Sequence, residues 1–201
     1  MLAYIKGTIE DKAKDYVVIE TTGLGYKVFM PETAMEKLGN IGDKVKVYTY
    51  YRVREDDISI FGFNTKEELR MFELLLSVSG IGAKTAIIMI SIIEPSEFAL
   101  AVIANDISKL VEVPGIGTKS AQRIVLELKD KLKKEENIEK IEGKKTKDSK
   151  ENVQAIEEAM SALQVLGYNK KEIEKVFEKI EKDNLTVEEL IKHGLKELSK
   201  K

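Results

Sequence analysis

Residues 78–86, Val-Ser-Gly-Ile-Gly-Ala-Lys-Thr-Ala, and residues 113–121, Val-Pro-Gly-Ile-Gly-Thr-Lys-Ser-Ala, are two versions of one phrase. The first glycines of the two copies, Gly80 and Gly115, lie 35 residues apart. In each copy a valine is followed by a glycine-containing turn and then by a lysine-bearing helix start. Glycine permits positive φ and lets another backbone approach closely. Each copy therefore predicts a tight turn between two helices.

The two helix starts indicate anion binding. The first N–H groups of a helix have no intrahelical acceptor and point toward any nearby anion. Lys84 and Lys119 hold equivalent positions, and Arg123 lies one turn beyond Lys119 on the same helix face. A single copy would fit an ordinary helix connection equally well. Two matching copies are the pattern of tandem helix-hairpin-helix motifs, whose turns contact duplex phosphates without reading sequence.

We therefore predict a DNA-binding site built from both turns and the helix starts that follow them. Its residues are Gly80, Ile81, Gly82, Lys84, Thr85, Gly115, Ile116, Gly117, Thr118, Lys119, Ser120 and Arg123.

Two enzyme classes with similar motifs are disfavoured. A P-loop needs glycine directly before its lysine, whereas Thr118 separates Gly117 from Lys119. A base-excision glycosylase would place an aspartate downstream of a hairpin lysine. That aspartate would fall near Val102 or Asn137, and neither residue is acidic.

Composition narrows the class of protein. The chain has 201 residues, is 43% hydrophobic and 34% charged, and carries a formal net charge of −2. Charge is balanced along the chain, so a DNA face must come from local placement of basic groups. The absence of cysteine excludes disulfides, cysteine-ligated zinc, iron–sulfur clusters and thiol catalysis. We expect neither a cofactor nor a metal.

The sequence also favours a cytoplasmic location without membrane association. The most apolar stretch, residues 86–93, is too short to span a bilayer. Lys6, Glu10 and Asp11 stand where a signal peptide would need an apolar run.

Four segments follow from the hydrophobic patterns. Residues 1–63 contain five short β-branched and aromatic runs separated by glycines, which predicts a small closed barrel. Residues 64–135 have helical spacing, and Asn64 or Thr65 is placed to cap the first helix. Residues 136–150 are mostly charged and predict a flexible linker. Residues 151–201 predict three helices, with Gly167 ending the first and a Thr186–Glu189 capping box opening the third.

The fold class is therefore α+β and multidomain. We expect an N-terminal five-stranded OB-like barrel, a central all-α tandem helix-hairpin-helix domain, and a C-terminal three-helix, UBA-like domain on a flexible linker.

The segment Arg52-Val53-Arg54-Glu55-Asp56-Asp57 lies between the last two predicted strands. Three successive acids are common on a solvated turn. Beside a DNA face, however, they would repel phosphates and position backbones. Three carboxylates also suit a divalent-metal nuclease, although such a site usually gathers acids from several strands.

The whole order resembles the RuvA family, the Holliday-junction-binding subunits of bacterial RuvAB branch-migration complexes. The resemblance covers essentially the full length, and the second turn is its most specific piece. It is carried by Gly7, residues 54–56, Ile60-Phe61-Gly62-Phe63, both turn motifs with Arg123, and residues 162–168. Thr118 departs from the basic residue expected there in some relatives, so the resemblance implies one phosphate contact fewer per hairpin.

This resemblance implies a non-catalytic homotetramer that holds a four-way DNA junction open, with one or two tetramers on the junction. Glu55 and Asp56 would gather at its centre as an acidic pin, with Arg54 and Asp57 as neighbours whose roles stay open. The C-terminal domain would bind a RuvB-type hexameric ATPase through the stretch containing Leu163, Leu166, Gly167 and Tyr168. A RuvC-type junction resolvase is a further implied partner.

Two alternatives from other classes stay open on the sequence alone. The runner-up is a Mg²⁺-dependent, structure-selective nuclease that uses Glu55, Asp56 and Asp57. The other is a protein-interaction adaptor in which the C-terminal domain dominates and DNA is not bound.

Overall fold

Alternating apolar residues in the first 63 positions build a five-stranded sheet in the computed structural model of the chain. The structure describes residues 2–136, 150–180 and 185–199. The strands are β1 (Tyr4–Lys12), β2 (Tyr16–Thr21), β3 (Leu24–Phe29), β4 (Lys44–Val53) and β5 (Ile58–Phe63). The helices are α1 (Glu32–Leu38), α2 (Lys66–Leu76), α3 (Ala83–Ile92), α4 (Pro95–Ala104), α5 (Ile107–Val111), α6 (Thr118–Glu136), α7 (Lys150–Val165), α8 (Lys170–Phe177) and α9 (Val187–Leu198).

The five strands close into a barrel in the order β1-β2-β3-β5-β4, which confirms the barrel prediction. The pairs are antiparallel except β3 with β5, which run parallel. Gly7 allows β1 to approach β2, because a Cβ at this position would lie 2.1 Å from the Glu20 carbonyl oxygen. Closure pairs every strand on both sides and removes exposed sheet edges.

An aromatic cluster fixes the barrel to the helical region. The ring of Phe72 on α2 lies 4.9 Å from that of Phe63 and 5.1 Å from that of Phe61. The Tyr50 ring meets Phe72 edge-on at 5.3 Å. Phe63 and Phe72 are fully buried, so these rings hold the middle of α2 against the barrel. Thr65 caps α2 through a capping box with Glu68, which confirms one of the two predicted caps.

Several boundaries differ from the sequence-based expectation. Residues 32–38 form α1, which packs against α3, whereas the sequence pattern predicts only β structure in this segment. Strands β1 and β4 extend well beyond their apolar runs. The predicted linker, residues 136–150, lies almost wholly outside the described residues. The four domain boundaries stay predictions.

The C-terminal helices pack onto the central ones. We call α7, α8 and α9 the tail domain. Helix α4 contacts both α7 and α9, and one continuous apolar core runs from Phe61 to Leu198. Within the tail domain, Gly194 of α9 lies against Leu163 of α7, where an added Cβ would be 2.6 Å from a Leu163 methyl carbon.

Within the described ranges, no single helix has both the length and the hydropathy of a membrane span. Helices α3 and α4 reach that threshold only as a pair, and they are bent by 100° relative to one another.

Candidate nucleic-acid interface

The two glycine turns have the same backbone geometry. The φ angle is +86° at Gly80 and +88° at Gly115, in the region that favours glycine. The Ile81 N–H donates to the Val78 carbonyl at 3.1 Å, and the matching bond in the second turn measures 3.0 Å. These equivalent bonds turn the chain sharply in both places. The repeated phrase is therefore a repeated structure.

Each turn leads directly into a helix whose first turn carries no acidic side chain. These helices are α3 and α6, and Gly82 at the start of α3 supplies no side-chain cap. By contrast α2 and α9 begin with paired glutamates and capping boxes. The free N–H groups and the helix dipole at α3 and α6 favour a bound anion.

The predicted DNA contacts divide by exposure. The exposed members are Gly80, Gly82, Lys84, Gly115, Gly117, Thr118, Lys119 and Arg123. Thr85 and Ser120 are half-buried. Ile81 and Ile116 are 8% and 4% exposed, so their side chains anchor the turns in the core. Only the backbone of these two isoleucines is placed to meet a ligand.

Two hydrogen bonds join the second hairpin to the first, between Ser79 and the side chains of Arg123 and Glu127, and we call this pair the cross-tie. The Arg123 guanidinium on α6 donates to the Ser79 carbonyl at 3.3 Å. The Ser79 N–H in turn donates to the Glu127 carboxylate, also on α6, at 3.1 Å. Arg123 thus reaches the first turn from the second hairpin. The sequence carries no local signal for Glu127, because its partner Ser79 lies 48 residues away and the contact depends on how the hairpins pack.

The segment Arg54–Asp57, which we call the acidic tip, is a closed turn between β4 and β5. The Arg54 N–H donates to the Asp57 carbonyl at 2.8 Å. The Asp57 carboxylate accepts hydrogen bonds from Ser59 and Arg52, each at 2.5 Å. These two bonds lower the pKa of Asp57, with Ser59 the larger cause. Asp57 is therefore a turn-stabilising acid.

Glu55 and Asp56 are exposed at the end of the acidic tip. They form a local negative charge beside a turn whose third acid is already paired with Arg52. Among the residues that the structure describes, no three histidine, cysteine or acidic side chains converge as a metal-binding group. The tip geometry gives no support to the nuclease alternative, because Asp57 is directed toward Arg52 and Ser59.

The predicted partner-binding residues of the tail domain are mostly buried. Leu163 and Leu166 are fully buried, and Tyr168 is 7% exposed. Gly167, with φ of +79°, ends α7 as predicted. The Tyr168 hydroxyl donates to the Glu67 carboxylate of α2 at 2.7 Å. In this arrangement the stretch faces the protein's own helices.

Comparison with known families accounts for most of the chain. Residues 1–62 match the model described as RuvA N terminal domain, and residues 72–130 match the SAM-like helix-hairpin-helix tandem. Residues 154–199 match the model described as RuvA, C-terminal domain. The three matches follow the order barrel, paired turns and tail domain.

Three similar curated proteins carry the name Holliday junction branch migration complex subunit RuvA. The protein from Acetivibrio thermocellus is 47% identical over 203 residues and covers all of both chains. That from Ruminiclostridium cellulolyticum is 46% identical over 199 residues, covering 98% of this chain and 100% of its own. The Clostridium botulinum (strain Loch Maree) protein is 45% identical over the full length of both chains.

Proposed function

The chain belongs to the RuvA family, and on that premise we propose that it binds four-way DNA junctions and holds them open for branch migration. The chain supplies junction geometry and no chemistry of its own. The observation that carries the proposal is the pair of glycine turns with nearly equal φ angles, each followed by a helix start without an acid. Contacts of this kind bind phosphates and carry no sequence information.

In the proposed complex, each hairpin binds one stretch of the DNA backbone. Free N–H groups after Gly82 and Gly117 bind phosphate oxygens, and Lys84 and Lys119 add charge-assisted bonds. Arg123 lies between the two turns and serves both. Glu55 and Asp56 repel phosphates at the junction centre, where they keep the strands apart.

Four copies make the weak contacts multivalent, and we propose a homotetramer, with one or two tetramers on each junction. Exposed apolar side chains support self-association. Val53 and Ile58 are paired across β4 and β5 beside the acidic tip and are 60% and 65% exposed. Leu126 on α6 is 62% exposed. Exposed apolar groups of this size often mark protein interfaces.

A partner supplies the motor in this scheme. We propose that the tail domain binds a RuvB-type hexameric ATPase, and that a RuvC-type resolvase acts on the same junction. The domains would be residues 1–63, 64–135 and 151–201, with 136–150 as a tether. The site of action would be the cytoplasm.

The deciding experiment is a gel-shift titration with an immobile four-way junction and a linear duplex of equal length. Strong preference for the junction in the presence of competitor DNA is the expected result. Equal binding of both would reduce the protein to a general duplex binder, and no binding would favour the adaptor alternative. Cleavage of the junction that needs Mg²⁺ and stops with EDTA would favour the nuclease.

The acidic tip yields a prediction of its own. Replacing Glu55 by Gln together with Asp56 by Asn should preserve or tighten junction binding, because two repulsive charges are lost. The rate of branch migration with the ATPase partner should change. Both quantities are measurable by gel shift and by strand-exchange assay.

Asp57→Asn is the matched control for that pair of substitutions. It removes one negative charge from the same turn but also weakens the bonds to Arg52 and Ser59. We expect it to lower thermal stability, which the double substitution should leave unchanged. Complete loss of binding in the double variant would instead make Glu55 and Asp56 structural.

A further inference from the structure

We propose that Glu67 and Arg70 of α2 form an internal docking site for Tyr168, and that this contact holds the tail domain on the central helices. While Tyr168 is docked, the end of the tail domain that carries it is masked from an external partner. The masking half of this inference rests on the proposed function, since it concerns the motor partner. The docking half stands on the contacts within the chain alone.

Helix α4 provides the apolar part of the docking surface. Residues 98–104 read Phe-Ala-Leu-Ala-Val-Ile-Ala, which is apolar on every side. A helix of this kind needs cover on more than one face. Ala99 and Val102 are fully buried, and α7 and α9 of the tail domain pack against this helix. The tail domain thus covers an apolar face that would otherwise meet water.

A buried polar contact gives the docking its specificity. The Tyr168 hydroxyl donates to Glu67 Oε1 at 2.7 Å, and these residues are 7% and 8% exposed. The guanidinium carbon of Arg70 lies 3.9 Å from the centre of the Tyr168 ring. Burial first, and then the bond to Glu67, raise the pKa of Tyr168, so the hydroxyl keeps its proton as donor.

The end of α7 aims Tyr168 at this site. The Tyr168 N–H donates to the Leu163 carbonyl and the Gly167 N–H to the Gln164 carbonyl, at 3.2 and 2.8 Å. This pair of bonds, with Gly167 at positive φ, is a Schellman helix end. The helix therefore stops at a defined point and projects Tyr168 out of the tail domain toward α2.

The contact is suited to reversal. Arg70 Nη1 is buried and has no hydrogen-bond acceptor among the described residues. An unsatisfied buried donor costs free energy that water would recover on opening. An external partner that took the place of α2 would need the same chemistry, namely a carboxylate for the hydroxyl and a cation for the ring face.

The test uses the full chain, whose lack of cysteine allows two labels to be placed cleanly. Lys14→Cys on the barrel and Lys175→Cys on α8 replace exposed residues and carry a fluorophore pair. The labelled chain is diluted into unlabelled chain, so energy transfer reports docking within one chain. Glu67→Ala removes the acceptor without altering the tail domain. Glu36→Ala, at an exposed position on α1, is the control.

We expect Glu67→Ala to lower the ratio of docked to open chain by roughly ten- to a hundredfold, the effect of losing one charged hydrogen bond. Tyr168→Phe should act similarly. Glu67→Gln, whose amide oxygen also accepts, should restore much of the docked fraction and separates docking from misfolding. Unchanged transfer in both Glu67→Ala and Tyr168→Phe would overturn the internal docking site.

Masking has a separate readout. Affinity of the full chain for the hexameric ATPase should rise in Glu67→Ala, because a smaller docked fraction leaves more chain competent to bind. Lower transfer with unchanged affinity would overturn masking and leave docking intact. If the ATPase binds neither the parent chain nor Glu67→Ala, the proposed motor coupling fails and masking fails with it, while docking is still judged by transfer.

Discussion

Lys119→Ala is expected to weaken junction binding by roughly a thousandfold at 0.1 M salt, because the proposed homotetramer loses four phosphate contacts at once. Each Lys119 is exposed at an acid-free helix start and contributes one phosphate contact in the proposed interface. Losing four contacts should flatten the slope of log K against log salt by roughly 3 to 4. Fluorescence anisotropy of a labelled junction at several salt concentrations measures both quantities.

The weakening should not depend on DNA sequence, since the proposed contact of Lys119 is to a backbone phosphate and phosphate contacts carry no sequence information. Lys119→Arg should keep most of the slope because it keeps the charge. Lys171→Ala, at an exposed position on α8, removes the same charge far from the turns along the chain and is the matched control. If the slope of log K against log salt is the same for the parent chain and Lys119→Ala, Lys119 is not part of the interface.

The second large effect is on stability and comes from Gly7. A Cβ at this position would lie 2.1 Å from the Glu20 carbonyl oxygen and 2.9 Å from an Ile19 methyl carbon. Because the obstacle is backbone in a closed barrel, it cannot rotate away. We expect Gly7→Ala to destabilise the barrel by about 3 kcal/mol, the upper end for overpacking. Calorimetry should show the unfolding midpoint lowered by roughly 10 °C.

Gly25→Ala is the control for that substitution. Gly25 lies in β3 of the same barrel, and its nearest obstacle would be a Val18 methyl carbon at 3.2 Å. A side-chain methyl can give way by a few tenths of an ångström, so the midpoint should stay within a few degrees. If Gly7→Ala and Gly25→Ala lower the unfolding midpoint equally, the close backbone approach at Gly7 does not explain the loss of stability.

Local sequence signals predicted the helix ends well. The Thr186–Glu189 capping box and the end of α7 at Gly167 are confirmed. These features depend on residues only a few positions apart, so their geometry is set within one or two turns of the chain. Helix α1 has no clear signal in the sequence. It is only seven residues long, has few apolar positions, and begins after Pro31 without a side-chain cap.

Contacts between distant segments could not be predicted in the same way. The bond from Tyr168 to Glu67 joins residues 101 positions apart, and that from Ser79 to Glu127 joins residues 48 apart. Neither pair has a local signature, because each depends on how whole helices pack. The charge of Asp57 was visible in the sequence, but its partners Arg52 and Ser59 emerged only from strand register.

The cross-tie from Arg123 and Glu127 to Ser79 also has a consequence for the entropy of binding. Because side chains of α6 bond to the first turn, the spacing between the two glycine turns is fixed before a ligand binds. Little conformational freedom is then lost on binding, so more of the contact energy appears as affinity. A backbone whose phosphates do not match that spacing must deform to fit. We therefore expect the protein to select by DNA shape and to contact no base.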